Sequence, residues 1–403
     1  MKNNLVNLYA YQLARMIGEK KIDPIMILES YIYQFNKANT KTKYSFAKFL
    51  KRKALLEAEE SWKRQKEDRR LSIFDGIPIA YKDIIDIKGF PAYAGSKLLK
   101  KKRENIKVED ANVVKEAKKR GIITLATTST VEFAFGGIGT NSSFNFPPNQ
   151  MLKDDRCPGG SSSGSATSVY SNLVPLSIGT DTAGSIRIPS AWHSLNGFKP
   201  TYNLISTNGV LPLSKSYDTI GTISKSIEDT QIIFNMLSNN NFKFPRFKVK
   251  DISVGIISDI VLDKMNNKHQ SIYEGLFDFF STRGIKLKKI NLPEFKIVND
   301  IIISEGGIVN YEAWNFWEKT IRNDLSKIDP NVSSRFILGK KMSRNLVAKM
   351  QKLIQSFKEK IYENLDNIDV FFTPTVGFKP PAIKEVMQKD NYTYYNNLIL
   401  SNT

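Results

Sequence analysis

Apolar residues in the first 70 positions recur at helical spacing. Leu5, Leu8, Leu13 and Ile17 share one face, Ile25, Ile27, Leu28 and Tyr31 share another, and Ala54 to Arg69 is charged and free of helix breakers. This opening part is expected to be helical. From Ile73 onward the period changes. Ile77–Ala80, Ile122–Ala126 and Leu173–Ile178 read as short strands, alternating with helical stretches over Val113–Arg120 and Ser162–Tyr170. Such alternation predicts an α/β fold with a central sheet. Asn239-Asn240-Asn241 marks a linker, after which Ser253–Ile257, a helix over Ser271–Arg283 and Lys286–Ile290 form another α/β stretch. Positions 291 to 365 look mainly helical, suited to a cover over the site. No internal repeat is found.

Three segments stand out for their chemistry. Gly76-Ile77-Pro78-Ile79-Ala80-Tyr81-Lys82-Asp83 delivers one lysine at the end of an apolar strand, where desolvation can depress the ammonium pKa and leave a usable base. Gly159-Gly160-Ser161-Ser162-Ser163-Gly164-Ser165-Ala166 is too small and glycine-rich for a core strand. In Gly179-Thr180-Asp181-Thr182-Ala183-Gly184-Ser185-Ile186-Arg187, the successive amides of Thr182, Ala183, Gly184 and Ser185 form a concave donor array suited to a developing oxyanion. A serine hydroxyl needs a base before it attacks a carbonyl. The chain has only two histidines, His193 and His269, neither in a motif with a partner carboxylate, so a Ser-Lys arrangement fits better than Ser-His-Asp. Lys82 differs from the other lysines in following Ile77, Ile79 and Ala80 and preceding Ile84 and Ile85. Each residue also has a plainer reading: Lys82 as a lysine snorkelling from a strand end, Ser161 as a helix N-cap, Ser185 as a structural serine in a tight turn. Asp181 and Arg187 are expected to brace the loop.

In order and separation these segments resemble the amidase signature family. The similarity extends to Gly89–Ser96, Glu132–Gly139, Asn196–Thr201 and Asp369–Thr375, and is strong over residues 5 to 240 and weak over 241 to 365. The resemblance implies a Ser–cis-Ser–Lys triad that cleaves amide C–N bonds, with Ser185 as nucleophile, Ser161 as the relaying serine behind a cis peptide, and Lys82 as base. It also implies one large α/β domain with a central mixed sheet surrounded by helices: a helical part over 1–70, a catalytic core over 71–240, and a variable cover and C-terminal part over 241–403. Two positions depart from the family pattern. Ala183 stands where a glycine is usual, which costs energy only if that residue needs positive φ, and Ser163 replaces another glycine. Family members usually continue beyond the end of this chain, so Leu398-Ile399-Leu400-Ser401-Asn402-Thr403 is expected to be an apolar run with no capping element beside an unpaired sheet edge, in a fragment or a shortened enzyme.

Composition narrows the setting. With 403 residues, 41% of them hydrophobic, the chain can bury a substantial core. No apolar stretch approaches the roughly 18 residues of a membrane span, and the first residues lack a signal-peptide core, so a cytoplasmic protein without membrane contact is expected. A single cysteine, Cys157, allows no internal disulfide, and with two histidines leaves a zinc site short of ligands; no metal or cofactor is expected. The 59 Lys and Arg against 40 Asp and Glu give a net charge of +19. That excess is spread along a Lys-, Asn- and Ile-rich chain, clustering only at Lys97–Lys107 and at Lys340, Lys341 and Arg344, without an RNA-binding motif, and reads as compositional bias.

Three functions follow from the resemblance. The favoured one is a free-standing amidase that converts a small carboxamide to acid and ammonia through an acyl-enzyme, as a monomer or a homodimer. Phe133–Thr140, Ser165–Val169, Leu211–Ile220 and Asn397–Thr403 are similar to that group. The second is the glutaminase subunit of an aspartyl/glutamyl-tRNA amidotransferase, whose partners are the tRNA-holding subunit of that amidotransferase and the tRNA itself. Against it, the tyrosine- and arginine-bearing segment that such subunits place before their glutamine pocket is missing: Tyr311-Glu312-Ala313-Trp314 occupies that region, and Arg335 is only a partial match. The third is a non-catalytic relative, against which intact Lys82, Ser161 and Ser185 argue. Phe135, Trp192, Trp314 and Trp317 are expected in the core rather than a substrate pocket.

Overall fold

The computed structural model describes residues 2–240, 242–243, 247–257, 265–365, 367–388 and 391–400. Its centre is a six-stranded mixed sheet of β1 (Phe46–Phe49), β2 (Pro78–Lys82), β3 (Ile123–Thr128), β4 (Leu176–Asp181), β5 (Asn196–Phe198) and β6 (Thr219–Ser224), in the order β1-β3-β2-β4-β6-β5. β2 runs parallel to both β3 and β4, whereas β1 joins β3, and β6 joins β4 and β5, antiparallel. Every residue of β2, β3, β4 and β6 is buried. Strands covered on both faces need apolar or small residues at every position rather than at alternate ones, as in Ile-Thr-Leu-Ala-Thr-Thr of β3. The helix Ser163–Tyr170 packs on β2, β3, β4 and β6, and the helix Lys51–Lys66 on β3. Burying Ile79 or Ile178 completely contributes about 1.5–3 kcal/mol each.

The chain steps from β2 to β3 on one side and then returns to β4 on the other. Strand order therefore reverses at β2, and the carboxyl ends of β2 and β4 open together where α/β sheets favour a ligand crevice.

Two sequence expectations in this half need correction. The first 70 residues are not wholly helical: β1 interrupts them, with Phe46 and Phe49 stacking on Phe35. The strand expected over 173–178 begins at Leu176 and continues through Gly179 and Thr180 to Asp181, because antiparallel pairing with β6 extends it that far.

A second, parallel sheet of β7 (Ser253–Ile257), β8 (Lys286–Ile290) and β9 (Val370–Phe372) has the order β8-β7-β9. Its first two strands have the expected bounds, and the helix between them is longer than expected, Asn267–Thr282 behind an Asn266 cap. Of the expected linker, Asn241 lies outside the described residues. The region 291 to 365 is mainly helical, with Pro293–Glu305, Ile308–Ile321, Pro330–Lys341 and Arg344–Asn364. Trp314, Trp317, Ile321 and Phe336 from this region join the main core, where Phe133 meets Trp317 and Phe336 edge to face. The chain is one α/β domain.

Of the run expected to be uncapped, Leu398-Ile399-Leu400 is the end of a helix, Asn391–Leu400, and residues 401–403 lie outside the described residues. Ile399 is fully buried with Ile138, Ile188 and Trp192, and Asn396 Oδ1 accepts the Gly137 N–H at 2.9 Å.

Candidate active site

Lys82 is the last residue of β2 and is fully buried. Its Nζ donates to Ser161 Oγ at 2.6 Å and to Thr180 Oγ1 at 2.9 Å. Burial is the main influence on its pKa and lowers it from 10.5 to about 7, against the opposing fields of Asp218 and Asp181. Among the described residues its direct side-chain partners are these two hydroxyls, and burial favours the neutral amine. The snorkelling alternative is excluded, since the ammonium head itself is inside.

Ser161 lies in the bend before the helix Ser163–Tyr170, and the Gly160–Ser161 peptide is cis, as the resemblance implies. Its carbonyl accepts from Thr130 Oγ1 at 2.9 Å and from the Val131 N–H at 3.2 Å. Ser161 is not the helix cap. That position belongs to Ser162, whose hydroxyl instead donates to the Thr180 carbonyl at 3.2 Å. Glycine is required at 160 because a Cβ there would stand 2.8 Å from the Gly139 nitrogen. The segment Gly136–Gly139 thus lies against the serine bend, with the Gly160 N–H donating to the Gly137 carbonyl at 2.7 Å.

Ser185 is buried and tied to the same bend by the Ser162 N–H, which donates to the Ser185 carbonyl at 3.1 Å. The three serine and lysine positions, 103 residues apart in the chain at their extremes, are brought together by the parallel pairing of β2 with β4 and by this backbone bond.

The loop carrying Ser185 is organised by Asp181. This carboxylate accepts the Gly184 N–H at 2.7 Å, the Ile186 N–H at 3.1 Å and both ends of the Arg187 guanidinium at 3.0 and 2.9 Å. Burial alone would raise its pKa, but Arg187 and the backbone donors outweigh burial and hold it below the ordinary carboxylate range. Asp181 and Arg187 brace the loop, as expected. Positive φ falls on Gly184, at 100°, and not on Ala183, so the departure from the family pattern carries no backbone cost. Within the stretch Thr182–Ser185, the Gly184 amide is engaged by Asp181.

Neither histidine is arranged as a base. Buried His193 is flanked by the Pro189 carbonyl at 2.9 Å and the Gln150 N–H at 3.2 Å, and burial lowers its pKa to about 4. His269 contacts its own helix cap, Asn266.

Two contributors were not legible from sequence. Thr180 fell beyond the expected end of its strand, although a polar residue closing an apolar run was a usable signal. Asp218 is buried; it takes the Thr182 hydroxyl on Oδ1 and the Leu213 and Ser214 N–H groups on Oδ2 at 2.8 and 3.0 Å. Burial raises its pKa despite these donors and the opposing field of Lys82. Phe135, Trp192, Trp314 and Trp317 are all buried in the core, as expected. Arg335 donates to the Phe135 carbonyl at 3.1 Å and lies over the rings of Phe135 and Tyr392. Among the described residues, no cluster of three or more His, Cys, Asp or Glu could hold a metal, and no helix is long and apolar enough to cross a membrane.

Comparison with known proteins identifies the family. The chain is 28% identical over 438 aligned positions to a glutamyl-tRNA(Gln) amidotransferase subunit from Fusobacterium nucleatum, covering 98% of this chain and 89% of that protein. It is 28% identical to a 2-amino-5-chloromuconic acid deaminase of Comamonas testosteroni, over 81% of this chain and 71% of that one. A crystal structure of an amidase superimposes with a TM-score of 0.88 at 22% identity, covering 98% of this chain and 90% of that one. The family model described as Amidase matches residues 26–402, and the chain belongs to the amidase family.

Proposed function

We propose that this protein hydrolyses a carboxamide to a carboxylic acid and ammonia through an acyl-enzyme on Ser185. The observation that carries the reading is the fully buried Lys82, with a pKa near 7, bonded to Ser161 at 2.6 Å. In the neutral form its lone pair takes the Ser161 proton while Ser161 Oγ takes the proton of Ser185, since one hydroxyl can accept and donate at once. Ser185 Oγ then bonds to the amide carbon, and the carbonyl oxygen becomes an oxyanion. We assign that charge to the stretch Thr182, Ala183, Gly184 and Ser185, the Gly184 amide being engaged by Asp181 in the free protein. Collapse breaks the C–N bond, and the proton held on Lys82 returns through Ser161 to the leaving nitrogen. Water, activated along the same path, cleaves the ester and restores Ser185. The chemistry needs no cofactor, and lone, buried Cys157 suits a cytoplasmic setting.

A second reading, the glutaminase subunit of a tRNA amidotransferase, is favoured by the Fusobacterium relative. The tRNA-holding subunit of such an enzyme, together with tRNA, would then be the partners, and Arg335, half-buried beside Phe135 and Tyr392, would be placed to meet a substrate carboxylate. Ammonia release measured over glutamine, asparagine, aliphatic and aromatic amides separates the two. Glutamine turnover alone, with co-purification of the tRNA-holding subunit, would replace the first reading by the second; size-exclusion chromatography would show whether the free enzyme is a monomer or a homodimer. No release from any amide, with no covalent labelling of Ser185 by a fluorophosphonate, would overturn both.

A further inference from the structure

The helix Ile308–Ile321 is clamped to the loop beside the site. Glu312 Oε2 accepts from Ser214 Oγ at 2.7 Å and from the Ser216 N–H at 3.0 Å, and Oε1 accepts from Ser216 Oγ. Trp317 Nε1 adds a bond to the Pro212 carbonyl at 2.9 Å. On its other side the same loop is held by the Leu211 N–H, which donates to the carbonyl of Ile84, two residues beyond Lys82.

The loop closes on Asp218. Its own N–H donates to the Ser214 carbonyl at 2.8 Å, its Oδ2 accepts the Leu213 and Ser214 amides, and its Oδ1 takes the hydroxyl of Thr182. A continuous series of hydrogen bonds therefore runs from Glu312 through Ser214 and Asp218 to Thr182, the first residue of the stretch assigned to the oxyanion. All three bonds of the Glu312 carboxylate go to this loop. Donors to an oxyanion act only when held within a fraction of an ångström of their working place, and a shift of about 1 Å can cost on the order of 100-fold in rate.

We propose that Glu312 is a positioning residue that, by fixing Ser214 and Ser216, holds Asp218 and through it Thr182 in the geometry that receives the oxyanion. The proposal rests on the reading of Ser185 as nucleophile.

The test uses a fluorophosphonate, whose phosphonyl oxygen takes the oxyanion's place as Ser185 is labelled, and reads the limiting rate and the half-saturating concentration separately. Glu312→Ala is expected to lower the limiting rate roughly tenfold while the half-saturating concentration changes less than about twofold. Glu312→Gln is expected to recover most of the rate, because its amide oxygen accepts and its amide nitrogen can donate to Ser216 Oγ. Thr182→Val, which removes the donor to Asp218, is expected to slow labelling similarly, and adding Glu312→Ala to it should slow labelling little further. If Glu312→Ala does not fold, Ser216→Ala carries the same expectation at about threefold. An unchanged limiting rate in folded Glu312→Ala, failure of Glu312→Gln to recover, or multiplying effects in the double variant would each overturn the proposal. A wild-type protein that is not labelled at Ser185 would instead overturn the reading beneath it.

Discussion

The two sheets use the same element, a short parallel strand, to opposite ends. In the central sheet, β2 and β4 have no exposed residue, and the single lysine of β2 is desolvated to a pKa near 7. In the second sheet, β8 carries Lys286, Lys288 and Lys289, all exposed, and Val370 and Phe371 of β9 are also exposed. What separates desolvated Lys82 from the exposed lysines of β8 is therefore the cover over the strand, since both strands pair in parallel ladders. Coverage is also what fixes the site: four buried strands leave Lys82, Thr180 and Asp181 no alternative arrangement.

The comparison breaks most visibly in activity. Ser185→Ala should abolish fluorophosphonate labelling and lower amide turnover on the order of 10³-fold or more, whereas Lys288→Ala in β8 should change neither; labelling that persists at another serine in Ser185→Ala would remove the site from the central sheet. Next in size is stability. Ile178→Ala, in the middle of β4, should cost about 2–5 kcal/mol in urea unfolding, since its side chain is fully buried.

Lys82 sharpens the contrast from the opposite direction. Its folded pKa is depressed to about 7 from 10.5, so between those values the unfolded chain holds a proton that the folded chain does not. Stability should therefore rise with pH from about 7 to 10.5, with the full penalty present below 7. Lys82→Met should remove that dependence and raise stability at about pH 6 by on the order of a few kcal/mol, while eliminating most of the activity. In the wild type, kcat/KM should rise through a midpoint near 7 and level off above it, because only the neutral amine takes a proton. A flat profile from about pH 6 to 9 would show that Lys82 is not the base. The smallest effect belongs to the second sheet: Val370→Ala, half exposed in β9, should shift stability by less than about 1 kcal/mol in the same unfolding measurement.

Lys82, Ser161 and Ser185 stood out in the sequence because each sits in a segment of unusual composition. An apolar strand ending in a lysine, and two glycine-serine runs, have few other uses together. Asp218 and Glu312 carried no such mark. The contacts they make depend on the pairing of β4 with β6 and on a helix that begins 90 residues after Asp218, which local patterning cannot report. β1 was missed for a related reason: four residues with a lysine among them have no clear period, and only pairing with β3 and the Phe35 contact make them a strand. The helix Asn391–Leu400 looked like a bare apolar run because its partners, Ile138, Ile188 and Trp192, lie some 200 residues earlier.

The antiparallel register of β4 and β6 also has a consequence for inheritance. Asp181 stands opposite Thr219 and Thr180 opposite Ile220, so the residue just before β6, Asp218, meets the residue just after β4, Thr182. Side chains alternate faces along a strand, so losing or gaining one codon between Thr219 and Ser224 would turn this meeting to the wrong side of the sheet while leaving the strand itself able to form. Length changes should thus be purged from β6 even where substitutions are tolerated, and accumulate instead in segments outside the paired strands.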